Sequence, residues 1–381
     1  MRIAMVHGAA APDQDGVADY TGHLVRALAA AGEDVHPVAV RGLLSAVRRL
    51  RALRPDVVHV QFAPSAFGFS PWIGLLPDLV TPPVVGTLHE YGWWSAPPRV
   101  PDRLWRLPER RGWFDRETWR LATGAAATVA TNPGHAGILA DRLGIDAVII
   151  PIAPNVPDLG AWVGRTQMRR WLGVPVDAEV IGFFGFVHPV KGVRYLIEAL
   201  AALRAAGRER LHLLVLGGFI SLALPPAEAA AFRSELAGLA RDHGVTEHVT
   251  FAGHLPAPEV SAALHSCDLA AFPFTAGATT KSGALLSAFA HRLPTVVTAA
   301  APADPELVDG RTVVVAPHVR SSAAVVTAIG RILDDPPLRA RVAAGGAAIG
   351  AARTWPRIAD AHRALYRHVL NTGPVRDDHR V

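Results

Sequence analysis

Cysteine is nearly absent: a single thiol, Cys267, stands among 381 residues. That excludes an internal disulfide and any metal cluster built on cysteines, and it suits a reducing compartment. Its setting, Ser266-Cys267-Asp268-Leu269 ahead of an apolar run, predicts a buried thiol. Lysine is almost as scarce. Lys191 and Lys281 are the only two, so the net charge of +5 rests largely on arginine. The surplus is small and spread along the chain, which excludes a dedicated nucleic-acid binder and leaves a phosphorylated substrate open. No apolar run reaches the roughly 18 residues of a membrane span. The opening Met1-Arg2-Ile3-Ala4-Met5-Val6 is too short for a signal peptide, so a cytoplasmic location is expected. Neither half carries an intact Gly-x-Gly-x-x-Gly, which argues against a nicotinamide cofactor. No His/Asp cluster has metal-ligand spacing, and Asp334-Asp335 before Pro336-Pro337 reads as a helix cap. Neither a cofactor nor an obligatory metal is expected.

What is present is a chain of two-domain length, 50% apolar and 19% charged, which is enough to fill two buried cores. Two strand–helix series emerge from the periodicity. The first predicts strands at 3–6, 35–40, 57–60, 84–87, 127–130 and 148–150, with a helix over 17–31. The second predicts strands at 180–184, 211–216, 249–251, 269–272, 295–298 and 312–315, with helices over 193–205, 227–243, 257–266 and 282–291. A helical region over 321–370 closes the chain, its last helix beginning after Pro356. Between the series lies a proline-studded segment, 151–157, that reads as a linker. The pattern predicts two Rossmann-like α/β halves facing across a cleft.

Residues 272–298 carry the densest signal. An apolar strand ending at Pro273-Phe274 enters a small-residue loop, and a helix then opens at Lys281-Ser282-Gly283. Such a junction aims backbone N–H groups, a helix dipole and a lysine at one spot, where a phosphate fits.

The ordered set of motifs resembles the family 4-type glycosyltransferases of the GT-B fold. Gly16-Val17-Ala18-Asp19-Tyr20 resembles that family's glycine loop. Pro55 to Gln61 resembles its Pro-Asp-hydrophobic-His strand, and Thr87-Leu88-His89-Glu90 its Thr-x-His-Asp strand end. Gly185-Phe186-Val187-His188-Pro189-Val190-Lys191-Gly192 resembles its donor loop, with Gly217 and Leu293-Pro294 in comparable places. Trp355 to Leu370 resembles its terminal helix. Three departures stand out: Thr279 and Ser287 replace the family's two glutamates, Phe186 replaces the donor-loop arginine, and Asp15 replaces the first glycine.

The resemblance implies four segments: an acceptor domain over 1–160, a nucleotide-sugar domain over 161–354, a helix over 355–371 returning to the first domain, and a flexible tail over 372–381. It implies a metal-independent, retaining transfer from a nucleoside-diphosphate sugar to a glycan, natural-product or lipid-linked acceptor. His89 and Lys191 are then the catalytic candidates, His89 at the sugar and Lys191 on the leaving diphosphate. Gly16, Lys191, Gly217, Thr280, Lys281, Ser282, Gly283 and Ser287 are the candidate donor residues. Asp19, Gln61, Glu90, Trp93 and Trp94 are the acceptor-side candidates.

The stretch from Tyr91 to Arg120 holds five of the nine tryptophans and seven arginines. It reads as an acceptor-binding wall, as a surface for peripheral contact with the inner face of an anionic membrane, or as an excursion whose four acidic residues pair with arginines. Two other functions stay open on the sequence. Loss of both glutamates fits a catalytically silent partner of an active transferase, and the fold also serves other sugar-nucleotide enzymes. Base, sugar, acceptor and oligomeric state are not encoded in any motif.

Overall fold

The computed structural model describes residues 1–11, 15–98, 100–221 and 224–372. The expected tail beyond residue 372 lies outside these, as does Arg99. Two compact α/β units divide the chain, one formed by Met1–Ile152 with the stretch from Trp355 onward, the other by Ala153–Thr354.

The first unit is built on strands β1 (Arg2–Gly8), β2 (Asp34–Val40), β3 (Val57–Phe62), β4 (Val84–Leu88), β5 (Ala127–Ala130) and β6 (Val148–Ile149), ordered β2-β1-β3-β4-β5-β6. Every neighbouring pair is parallel, with Phe62 opposite Leu88 and Leu88 opposite Ala130. All residues of β3 and β4 are buried, as a sheet covered on both faces requires. Phe62, Leu76, Leu88 and Leu121 fill its core, each stabilising by about 1.5–3 kcal/mol. The helix Trp355–Thr372 belongs to this unit: Tyr366 bonds His59, and Arg363 pairs with Glu33 at 2.8 Å.

The second unit holds β7 (Glu179–Phe184), β8 (Leu211–Leu216), β9 (Val249–Gly253), β10 (Leu269–Phe272), β11 (Thr295–Thr298) and β12 (Val314–Ala316), ordered β12-β11-β10-β7-β8-β9. These pairs are parallel too. Cys267 is buried just before β10, and burial pushes its thiol up to about 12. Asp335 caps the helix Pro336–Ala352 by accepting from Leu338 N.

The division falls earlier than the expected boundary at 160. Residues 153–160 are tied into the second unit. Asn155 N donates to Gly283 O at 3.2 Å, Val156 N to Ser287 Oγ at 3.0 Å and Leu159 N to Ser261 Oγ at 3.1 Å. The proline-studded segment is therefore anchored, because its backbone donors find acceptors on two helices of that unit.

Candidate active site

Strand order marks one crevice in each unit. In the second, the chain winds outward from β7 through β8 and β9, then returns to β10 on the other side of β7. Crossovers leave these two strands in opposite directions, so a crevice opens at their carboxyl ends. In the first unit the same reversal falls between β1 and β3.

The β7 end continues through Gly185 into a short 3-10 turn, Pro189–Lys191, with His188 as its cap: Nδ1 accepts from Val190 N at 3.2 Å. His188 thus serves its own loop. Val190 O accepts from Thr275 N at 2.9 Å, and the Lys191 ammonium sits 4.2 Å from the centre of the Phe274 ring. Lys191 and the loop after β10 are accordingly side by side. Gly217, at the end of β8, has φ +138°, and a Cβ there would lie 2.0 Å from Gly185 O. Only glycine permits this crossing of backbones.

The helix Gly283–Ala290 opens with Ser282 as its N-cap, the hydroxyl accepting from Leu285 N at 3.2 Å. Lys281 is exposed beside it. Thr280 is buried and clamped: its N–H and hydroxyl donate to Asp304 Oδ2 at 2.7 and 2.8 Å, and its carbonyl accepts from Arg353. Arg353 also pairs with Glu306. None of these three clamping residues shows a motif, and their links to Thr280 span 24 to 73 residues.

Two donor candidates turn out to be committed elsewhere. Ser287 is fully buried, donates to Gly283 O at 2.8 Å and accepts from Val156 N. A hydroxyl has one proton to give, and this one is spent on its own helix. At Gly283 a Cβ would lie 1.5 Å from Asn155 Oδ1, so the side of the helix start is filled by Asn155.

In the first unit, His89 follows β4, its N–H donating to Phe62 O at 2.9 Å. Its Nε2 lies 2.8 Å from Gln61 Oε1, an acceptor, which places the ring proton on Nε2 and the lone pair on Nδ1. The Gln61 amide N approaches His59 Nε2 at 3.1 Å, and His59 is bracketed by Tyr366 OH at 2.6 Å and Thr87 Oγ1 at 2.7 Å. The Tyr20 and His89 rings meet edge to face, with centroids 4.7 Å apart. Burial, then the neighbouring imidazoles His135 and His362, lower His89 to about 3. Burial lowers His362 to about 3 as well and holds His59 well below its ordinary value. All three are neutral near pH 7, and Gln61 and His59 together form the support behind His89.

Gly16 begins the helix Gly16–Ala30, with open space around it. Asp15 caps that helix through Val17 N at 3.1 Å, and burial raises its pKa. Asp19 lies 3.5 Å from His23 Nε2, which stacks on Trp355. Glu90 is half-buried next to His89.

Trp93 and Trp94 both meet Phe69 edge-on, at 6.3 and 6.1 Å. With Gly92, Asp102, Arg116, Glu117 and Arg142 they line a cavity of about 620 Å³. Among the described residues Trp94 Nε1 is buried with no hydrogen-bond partner. The floor is a closed ion network. Arg142 pairs with Glu109 at 2.9 Å, Asp115 at 2.8 Å and Glu117, and Arg116 pairs with Glu109 and Asp102, each at 2.8 Å. Burial raises Asp115 and Glu117, whereas at Glu109 burial is overcome by Arg116 and Arg142. The acidic residues of this excursion do pair with arginine, chiefly with Arg142 from outside it.

One group of possible metal ligands escaped the sequence: Asp158, His265 and His291 bring ligand atoms within 4.8 Å of one another. Their atoms are engaged already. Asp158 holds His265 at 2.7 Å, and His291 bonds Ser287 O and Ser261 Oγ, each at 2.7 Å.

Comparison with known proteins agrees with this architecture. Residues 178–335 match the family Glycosyl transferases group 1, and residues 37–159 match Glycosyltransferase Family 4. The D-inositol 3-phosphate glycosyltransferase of Stackebrandtia nassauensis is 30% identical over 240 residues, 61% of this chain and 52% of that protein. The same-named protein of Actinosynnema mirum is 33% identical over 257 residues, 65% of this chain and 58% of its own. The chain thus spans little more than half the length of these relatives. The crystal structure of Anabaena HepE with UDP and glucose covers 97% of this chain and 100% of its own, with a TM-score of 0.69 at 17% identity. The two units define a GT-B protein. The chain is similar to the family 4-type glycosyltransferases over residues 37–159 and 178–335.

Proposed function

We propose that the protein is a retaining, metal-independent glycosyltransferase that moves a sugar from a nucleoside-diphosphate sugar to a small ring or lipid-linked acceptor. One observation carries this reading. At the β7/β10 crevice, where doubly wound sheets bind ligands, Lys191 lies against the loop after β10, and the capped helix start, preceded by the exposed Lys281, packs on Gly185 through Ala284. Two ammonium groups and a helix dipole there neutralise a leaving diphosphate. His89 offers a neutral imidazole whose Nδ1 accepts a sugar hydroxyl, held in that tautomer by Gln61. UDP is the first nucleotide to test, since HepE was solved with UDP and glucose. Inositol phosphate, from the relatives' names, and unphosphorylated inositol are the first two acceptors to test against each other. The Trp93/Trp94 cavity favours an uncharged ring, because carboxylates hold both of its arginines while its walls supply aromatic faces and the unanswered Trp94 donor. Peripheral contact with a membrane belongs to the same reading and brings lipid-linked acceptors within reach.

A second reading, a silent relative that partners an active transferase, is favoured by Ser287, whose buried hydroxyl leaves no carboxylate for a ribose. A thermal-shift series with UDP, GDP, ADP and TDP separates the two: one nucleotide should stabilise the transferase and none the silent relative. His89→Ala should lower kcat by roughly 100-fold with donor binding intact. Unchanged turnover in that variant removes His89 from the mechanism.

A further inference from the structure

The helix Asp102–Arg110 of the first unit carries its polarity the wrong way round for a surface helix. Its Glu109 is 3% exposed and holds Arg116 and Arg142, whereas Leu104 and Leu107, one turn apart, are 60% and 57% exposed. The apolar face continues beyond the helix. Trp113 and Phe114, both exposed, fold back as their N–H groups donate to Pro108 O at 2.9 and 3.5 Å. Phe114 meets Trp119 edge-on at 6.2 Å, and Trp119 meets the exposed Trp72 at 4.7 Å.

Charge on this face has one sign. Arg103, Arg106 and Arg110 form a stripe beside the two leucines, at spacings of three and four. All three are exposed, and none has a carboxylate partner among the described residues. Arg111 lies over the Trp113 ring at 5.6 Å. The nearby carboxylates have partners elsewhere: Asp102, exposed at the helix start, pairs with Arg116, and the buried Glu109, Asp115 and Glu117 pair with Arg142. Exposed leucines and aromatic rings interleaved with unneutralised guanidinium groups form one continuous basic, apolar surface.

We infer that this face docks on an anionic phospholipid surface, with Leu104, Leu107, Trp113 and Phe114 in the headgroup–acyl boundary and the arginine stripe on lipid phosphates. Charge selects this occupant over a second copy of the chain, which would bring the same arginines against themselves across a two-fold interface. The helix has nine residues, and among the described residues no helix is long and apolar enough to cross a membrane, so it lies in the interface. The inference extends the proposed membrane contact and is independent of sugar transfer.

Co-sedimentation of the full chain with vesicles tests it, comparing phosphatidylcholine alone with phosphatidylcholine containing about a third phosphatidylglycerol. Binding at least tenfold stronger on the anionic vesicles is expected, weakening as salt is raised. Leu104→Asp with Leu107→Asp should abolish at least nine-tenths of it, and Arg103→Gln, Arg106→Gln and Arg110→Gln together should erase the preference for anionic lipid. Nucleotide-induced thermal shifts should match wild type in both variants, which separates lost docking from lost folding or lost transferase function. Equal binding to both vesicles, binding to neither, or wild-type binding by the Leu104→Asp/Leu107→Asp variant overturns the inference. So does a lipid-free dimer that the same substitutions dissolve, which would assign the face to a second copy.

Discussion

The two switch points solve opposite problems. At the carboxyl edge of the first sheet, the half-buried His89 and the buried Gln61, His59, Thr87 and Tyr366 interlock in an uncharged chain of hydrogen bonds. At that of the second sheet, backbone crossings at Gly185 and Gly217 and a capped helix start stand beside two lysines and the charged group Asp304, Glu306 and Arg353 that holds Thr280. A neutral network positions groups without attracting ions, and it is costly to protonate. On the proposed reading, the second edge holds an anion through its two ammonium groups. Burial, more than residue type, separates the two.

Acidification should break the first region before the second. His59, His89 and His362 all have folded pKa values below the ordinary 6.5, the latter two at about 3. Their stabilising contribution is therefore complete above pH 6.5 and is lost as pH falls toward 3, at about 1 kcal/mol per pH unit for each group. In the second unit His212, at about 4, and His291 and His248, both lowered by burial, are the comparable cases. Hydrogen exchange resolved by unit across this window should show the first unit opening at the higher pH, and simultaneous loss would refute the contrast.

Arg142→Ala should be the most damaging single substitution in the first unit, by about 3–5 kcal/mol, since it leaves Glu109, Asp115 and Glu117 without their common cation. Urea denaturation measures it. Gly217→Ala should cost the second unit about 3 kcal/mol, because a Cβ meets Gly185 O at 2.0 Å in a backbone region closed to other residues. A loss below 1 kcal/mol would mean that the crossing can relax. The smallest effect on stability belongs to the lysines. Lys191→Ala and Lys281→Ala should each weaken nucleotide binding about tenfold, or 1.4 kcal/mol, with an unchanged melting temperature. Calorimetric titration with UDP decides that.

Much of the fold is legible in local pattern. The helix Val193–Ala205 and the strands Leu211–Leu216, Leu269–Phe272 and Thr295–Thr298 fall where periodicity puts them, because their apolar faces are buried. The helices Leu43–Leu53, Asp102–Arg110, Pro133–Leu143 and Arg165–Leu172 lie outside the segments that periodicity predicts. For Asp102–Arg110 the reason is physical: its leucines face out and its glutamate faces in, so hydrophobic pattern and burial disagree. In the site, His89 was visible as the end of an apolar strand. The bonds of Ser287 are not legible in the sequence, because its partner, Val156, is 131 residues away.

Alternation and helical spacing, set by interactions within a few residues, determined by themselves which segments became strands and crossover helices, and hence the two parallel sheets. Only the tertiary structure decided which polar groups were spent on one another. It desolvated three histidines into neutrality, gave Arg142 three carboxylates and left a basic stripe without any among the described residues. Desolvation and long-range pairing depend on neighbours that the chain brings together only once it is folded.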